Sequence, residues 1–320
     1  MSAQRGAQRL LAPETRTALE GLLNALEATN NYAAAKATDL WENLRRGGDW
    51  DLLVRDRPRA LRAVVEAVGE PNRLAVWSHG LGCYYPWGEI DLLDGVRYRG
   101  VLLLSSSEAV EAATHRADGI VAARPAHVAI SACLLPAMAY GTHKAEYELE
   151  WKRAQARDRH ELRRVLEVVL GTSLAERVER DGPLPHLSHV RRAFMLRSAV
   201  SRSAWAGAIK YAVVEVAQHA RPPAPPAVLV PAAGAASVKA ELERLEPAIS
   251  EVMTVEPSSH AWVRRWPDTA RVRRRGGVVL VERRRDWPTA RRQTPSDVVA
   301  AYLATQRRVV VGVLQGLARP

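Results

Sequence analysis

The chain is poor in cysteine, in phenylalanine and in long apolar runs. Its 320 residues include two cysteines, Cys83 and Cys133, and a single Phe. Neither cysteine belongs to a CxxC pair or to a Cys/His spacing that suits zinc, so neither a disulfide scaffold nor structural zinc is indicated. No apolar stretch approaches the roughly 18 residues needed to cross a bilayer. The polar, basic opening Met1-Ser2-Ala3-Gln4-Arg5 lacks a signal-peptide core. A cytoplasmic protein with no membrane partner is therefore expected. Internal repeats are also missing, and the scarcity of Phe beside abundant Ala, Arg and Val reads as base-composition bias rather than mechanism.

Acids are scarce in one place. The net charge is +11, and between Ala261 and Arg292 eleven arginines face only Asp268, Glu282 and Asp286, a net +8 over that stretch. A clustered basic patch can hold phosphates, RNA, DNA or an acidic partner. It can equally be a solvated surface. Trp262, Trp266 and Trp287 interleave with these arginines, which suits stacking on bases or Arg packing on Trp within a fold. A nucleic acid or acidic partner is thus expected through residues 264–292, if the patch has a partner at all.

What the chain does have is an alternation of apolar strands and helices. Pro13 to about Arg46 reads as one or two helices, with Leu19, Leu22, Leu23 and Leu26 at helical spacing and a break at Asn30-Asn31, a second helix starting near Tyr32. A strand over 50–55 follows, then a helix opened by Pro58 and stopped at Gly69. Leu74–Trp77 is expected as a strand, His79–Trp87 as turn-rich, 89–93 and Val101–Leu104 as strands, Glu108–Ala113 as a capped helix, Gly119–Ala123 as a short strand and Pro125–Tyr140 as an apolar helix. This pattern argues for a small α/β domain over 1–142. Residues 143–220 form a basic helical appendix. The run Arg221-Pro222-Pro223-Ala224-Pro225-Pro226 cannot be helical and opens a linker and basic C-terminal region, 221–320. There, strands at Ala227–Val230 and Val278–Val281 and helices at Val238–Leu245 and from Ser296 to about Leu317 make a smaller α/β region.

Two short stretches stand out chemically. Gly47-Gly48-Asp49-Trp50-Asp51-Leu52-Leu53-Val54 is a glycine turn feeding a strand with two acids, and alternation puts Asp49 and Asp51 on one face with Trp50 and Leu52 on the other. Side-by-side carboxylates repel, and a divalent cation between them is a common reason to keep such a pair. The bland alternative is a strand end meeting solvent. Gly88-Glu89-Ile90-Asp91-Leu92-Leu93 is a second acidic strand, with Glu89 on the face of Asp91.

A glycine turn, Asp-x-Asp on one strand and a third acid on another resemble the metal site of the polymerase-beta-like nucleotidyltransferase superfamily, over residues of about 31 to 150. The sub-pattern Trp41-Glu42-Asn43 ahead of Gly47-Gly48-Asp49-Trp50-Asp51 is similar to bacterial nucleotidyltransferase-like proteins of polysaccharide and natural-product type. The resemblance implies a mixed-sheet domain and a nucleoside triphosphate (NTP) as substrate, so that binding of ATP or another nucleotide is expected. It implies two Mg2+ ions held by Asp49, Asp51 and Asp91, and Asp91 helping to deprotonate an acceptor hydroxyl. Gly47, Gly48 and Lys144 would contact the nucleotide, with Tyr147 one helical turn beyond Lys144. The activity implied is transfer of an NMP group to a small-molecule, sugar or peptide acceptor.

The chain departs from that pattern in two places. Lys36-Ala37-Thr38-Asp39 stands where the superfamily carries a phosphate-cradling Gly-Ser pair, and Glu42 follows Trp41 where relatives carry Lys. Val228-Leu229-Val230-Pro231-Ala232-Ala233-Gly234-Ala235-Ala236-Ser237 resembles a degenerate P-loop without its lysine, Lys239 being displaced, and an ordinary Ala-rich turn reads as well. These departures leave two alternatives open, a catalytically inactive binding or scaffold protein and a nucleic-acid-binding protein. His79, Cys83 and His115 match no ligand set, and no Ser-His-Asp arrangement can be picked out.

Overall fold

Helix α1 (Pro13–Glu27) starts on a proline at its first turn and buries Leu19, Leu22, Leu23 and Leu26. The computed structural model describes residues 12–36, 40–45, 49–71, 73–77, 80–85, 87–116, 119–143, 145–199, 201, 204–209, 211–213, 228–231, 240, 252–255 and 278–283. After α1 come strand β1 (Tyr32–Ala34), helix α2 (Leu40–Arg45), strand β2 (Asp49–Val54) and helix α3 (Arg57–Val68). The Asp56 carboxylate caps α3 by accepting from the Arg59 N–H at 2.9 Å, and α3 ends at Gly69, whose φ of +93° suits glycine. Helices α1 and α3 pack on each other.

Five strands follow: β3 (Arg73–Trp77), β4 (Gly80–Tyr85), β5 (Gly88–Leu93), β6 (Gly95–Tyr98) and β7 (Val101–Ser105). Then come α4 (Ser106–Glu111), β8 (Thr114–His115), β9 (Val121–Ala122) and α5 (Pro125–Ala129). A π-helical turn, Ile130–Leu134, joins α5 to α6 (Leu135–Tyr140). Helices α7 (Glu148–Arg157), α8 (Arg159–Leu170), α9 (Thr172–Asp181) and α10 (Leu187–Ala199) follow, with further helical residues at 204–209 and 211–213. Strands β10 (Val228–Pro231), β11 (Val252–Val255) and β12 (Val278–Arg283) lie beyond.

The architecture is α/β, built on a seven-stranded mixed sheet in the order β3-β4-β5-β2-β1-β9-β8. Strand β1 runs antiparallel to β2, with Ala34 opposite Leu52, and parallel to β9, with Ala34 opposite Ala122. The Tyr32 hydroxyl accepts from the Val121 N–H at 3.2 Å, tying β9 to the same strand. Strands β6 and β7 form a separate antiparallel hairpin.

The chain divides into two compact units. The first comprises Met1–Gly69, Val76–Leu81 and Ile90–Val213. Its largest core cluster joins Leu53 and Ala33 to the hairpin residues Val96 and Leu104 and to apolar residues of α5 through α10, among them Ile130, Trp151, Leu166 and Phe194. Gly100 (φ +80°) and Gly207 approach so closely that a Cβ on either would overlap the other's backbone, so the turn between β6 and β7 meets helical residues 204–209 backbone to backbone. The second unit comprises Glu70–Ala75, Gly82–Glu89 and Val214–Pro320. Within it β10, β12 and β11 form a three-stranded parallel sheet, and the Arg73 guanidinium stacks on Tyr84 at 3.6 Å. Among the described residues no helix is long and apolar enough to cross a membrane.

Five elements differ from the sequence expectation. Residues 32–34 are a strand, where a helix starting at Tyr32 is expected; Ala33 and Ala34 are good helix formers, but their small side chains fit fully buried between β2 and β9, and pairing overrides propensity. The segment expected to be turn-rich contains β4, whose Gly80 lies so near β5 that a Cβ would sit 2.9 Å from the Leu92 carbonyl. Strands β6, β8 and β11 are additions to the expected elements. The expected turn at 232–236, the P-loop-like stretch beyond Pro231, the helices at Val238–Leu245 and Ser296–Leu317, and most of the Arg-rich stretch lie outside the described residues.

Candidate metal centre

Strand β2 is fixed on its apolar side first. Trp50 and Leu52 are fully buried, and the Trp50 indole N–H donates to the Leu40 carbonyl at 2.8 Å. The Trp41 ring meets Trp50 edge-on, with centroids 5.2 Å apart. At the far end, Asn31 clasps Asp56: its amide donates to the Asp56 carbonyl at 3.1 Å and its Oδ1 accepts from the Asp56 N–H at 2.7 Å. With Trp50 locked inward, the two-residue alternation sends Asp49 and Asp51 to the opposite face, where both are half-buried.

Strand β5 is the neighbour of β2 in the sheet, and it carries Asp91, 8 % exposed. Adjacent strands lie ~4.8 Å apart, close enough for acids on one face to share an ion. Here one carboxylate oxygen from each of Asp49, Asp51 and Asp91 lies within 4.8 Å of the others. The structure thus brings together the three acids that the sequence singles out on separate strands. Glu89 lies on β5 as well, half-buried. Gly47, Gly48, Lys144, His79 and the Glu42 side chain lie outside the described residues.

One charged group at this site is missed by reasoning from motifs. Lys36 follows the end of β1, where the Ala35 N–H still donates to the Asp51 carbonyl at 2.8 Å. Its ammonium forms an ion pair with Asp51 and lies 3.3 Å from Asp49 Oδ1. Burial by itself lowers the affinity of this amine for its proton, but the charges of Asp51 and Asp49 outweigh burial and raise the Lys36 pKa above its ordinary value. Lys36 is therefore charged at every physiological pH. The Tyr147 phenol is near enough to add to that shift. From behind, the Ser131 hydroxyl donates to the Ala35 carbonyl at 2.7 Å. Ser131 sits in the π-helical turn, a device common at functional sites because it re-aims one side chain within a helix.

A second acidic group, Glu108, His127 and Glu161, also brings ligand atoms within 4.8 Å of one another. Its charges are largely matched within the chain. Arg164 pairs with both Glu161, at 2.7 Å, and Glu108, while Arg124 holds Asp158 through Nε at 2.8 Å and reaches Glu161 at 3.9 Å. Three carboxylates thus face two guanidinium groups. His127 is fully buried and its Nε2 lies 3.0 Å from Glu161 Oε1; burial lowers its pKa below the ordinary histidine value. Arg164 first, then His127, brings Glu161 down to about 2. This network braces α4, α5 and α8 against one another.

The remaining singled-out residues are ordinary. Cys83 and Cys133 are both buried and neither is in a disulfide, and burial pushes the Cys133 thiol up to about 12, which makes it inert as a nucleophile. His115 is an exposed partner of Glu27 at 3.6 Å.

The donor set at the Asp49 site suits a hard divalent cation, since three carboxylates offer only oxygen. No model of a protein family, no curated protein and no solved structure matches this chain.

Proposed function

We propose that this chain is a Mg2+-dependent nucleotidyltransferase of the polymerase-beta-like type, moving an NMP group from an NTP to a hydroxyl or phosphate of a small molecule, sugar or peptide. The observation that carries the reading is the convergence of Asp49, Asp51 and Asp91 from two neighbouring strands to within 4.8 Å. Mg2+ bound there would neutralise the triphosphate and polarise the phosphorus under attack. Asp49 and Asp51 hold the ion side of the site, because Trp50 pins their strand and leaves them one face. Asp91, the most buried of the three acids, is the carboxylate assigned to receive the acceptor's proton.

The test is calorimetric titration of ATP, GTP, CTP and UTP into the full chain with Mg2+, beside the double variant Asp49→Ala/Asp51→Ala. Metal-dependent binding of one NTP, abolished in the double variant, is expected. A folded wild-type chain that binds none of the four would overturn the reading.

Lys36 favours a second reading. An ammonium already seated on Asp51 and Asp49 supplies positive charge that a catalytic metal would otherwise supply, as expected of a non-catalytic descendant retained as a binding protein. That reading predicts a folded chain with no NTP binding and no change in the double variant.

A further inference from the structure

The Lys36 ammonium sits on the two acids of β2, paired with Asp51 and 3.3 Å from Asp49 Oδ1. A divalent ion ligated by Asp49 and Asp51 would lie within a few ångströms of this ammonium, and like charges at that distance repel strongly in a partly buried site. The lysine therefore has to give way to the ion or keep it out. Its backbone is not free to follow. The Ala35 N–H donates to the Asp51 carbonyl and the Ala35 carbonyl accepts from the Ser131 hydroxyl, so the residue before Lys36 is fastened to β2 on one side and to the π-helical turn on the other. What can move is the four-carbon stem, which is flexible and ends in a charge whose three N–H donors can turn to a new acceptor. The side chain is 23 % exposed, so part of it already faces the solvent from which a ligand enters.

Phosphate oxygens are the acceptors that suit such a displaced ammonium. They are anionic, they complete the shell of a hard divalent ion, and on an ion held by Asp49 and Asp51 they lie one coordination sphere from the acids that the lysine leaves. We propose that Lys36 couples metal binding to nucleotide binding: its ammonium guards the two acids of β2 against bare divalent ions and exchanges those carboxylates for the phosphates when ion and triphosphate bind together. The proposal rests on the nucleotidyltransferase reading above and deepens it. Lys36 opposes the ion alone, because it then loses its carboxylate partners and gains none. It favours the ion with a triphosphate, because the phosphates replace what it loses. Coupling of this kind is reciprocal, so the lysine that weakens binding of the metal alone strengthens binding of metal and nucleotide together. The sign of each effect is set by this one cation, whatever other groups surround the acids.

The probes are Mn2+ and the α,β-methylene analogues of ATP, GTP, CTP and UTP, in which the bond to be broken is blocked, titrated by calorimetry into the full chain. Lys36→Met keeps the side-chain length and removes the charge. It is expected to bind Mn2+ alone about tenfold more tightly than wild type, and the Mn2+ complex of the preferred analogue about tenfold more weakly. Lys36→Arg, which keeps the charge, should fall nearer to wild type than to Lys36→Met in both titrations. Two shifts in the same direction would overturn the proposal: tightening of both makes the lysine a plain block on the acids, and weakening of both makes it a prop of the site. Absence of either shift in a Lys36→Met chain that circular dichroism shows to be folded would overturn it as well. If that variant does not fold, wild type decides: Mn2+ bound more tightly with an analogue than without supports the proposal, and equal affinities overturn it. If folded wild type and Lys36→Met bind neither Mn2+ nor any analogue complex, the metal reading of the three acids fails first, and this proposal with it.

Discussion

Asp49, Trp50 and Asp51 divide one strand between chemistry and packing. The indole of Trp50 fills a fully buried position and gives its N–H to Leu40, so Trp50→Phe removes a hydrogen bond and leaves a gap. The expected loss is about 2 kcal/mol of unfolding free energy by urea titration. Both acids were legible in the sequence because a strand alternates its faces whatever lies around it. Lys36 was visible only as an oddity of spacing. By the β1–β2 register it falls opposite Trp50, on the wrong face for the acids, and only the bend after Ala34 releases it from that alternation. His127 carried no signal, since its partners Glu108 and Glu161 come from helices far off in the chain.

At the level of elements, the network that joins α4, α5 and α8 should register in the pH dependence of stability. Glu161 is held near 2 in the fold, below its ordinary value of 4.5, so its contribution is complete above about 4.5 and is lost as pH falls toward 2. His127 has a lowered pKa in the fold; the unfolded chain takes up its proton first, and stability declines as pH drops below about 6.5. Urea titrations across pH 7 to 3 are expected to show both declines. Glu161→Gln should flatten the lower one by about 2 kcal/mol while destabilising the protein at pH 7. An unchanged slope would show that the Arg164–Glu161 pair is not formed in solution.

A second element-scale prediction concerns Gly100 and Gly207. Alanine at either position puts a methyl group into the facing backbone, and at Gly100 it also meets a positive φ. Each substitution should lower the unfolding free energy by about 2–3 kcal/mol, read from the thermal midpoint. Most strands and helices of the first unit were legible from periodicity and from the Pro and Gly that bound them. Strand β1 was not, because a strand of three residues carries too little pattern to outweigh alanine's helix propensity.

On the scale of the whole molecule, charge and chemistry are separated along the chain. Lys36, Asp49, Asp51 and Asp91 all belong to the first unit, whereas the stretch Ala261–Arg292, with +8 of the net +11, belongs to the second. Replacing Arg273, Arg274 and Arg275 by Ala is therefore expected to leave the NTP isotherms within twofold of wild type. A larger loss would assign the basic stretch to nucleotide binding.

The antiparallel pairing of β1 with β2 spans little more than twenty residues, while the partner that closes the other side of β1 is Ala122. Closing a short loop costs less chain entropy than closing a long one, so the hairpin can form early in folding and β9 must join later. Lys36 and the two acids of β2 ride on that early hairpin, and Asp91 arrives with β5. The lysine and its two acids are therefore joined by contacts of short sequence separation, which close at small cost in chain entropy.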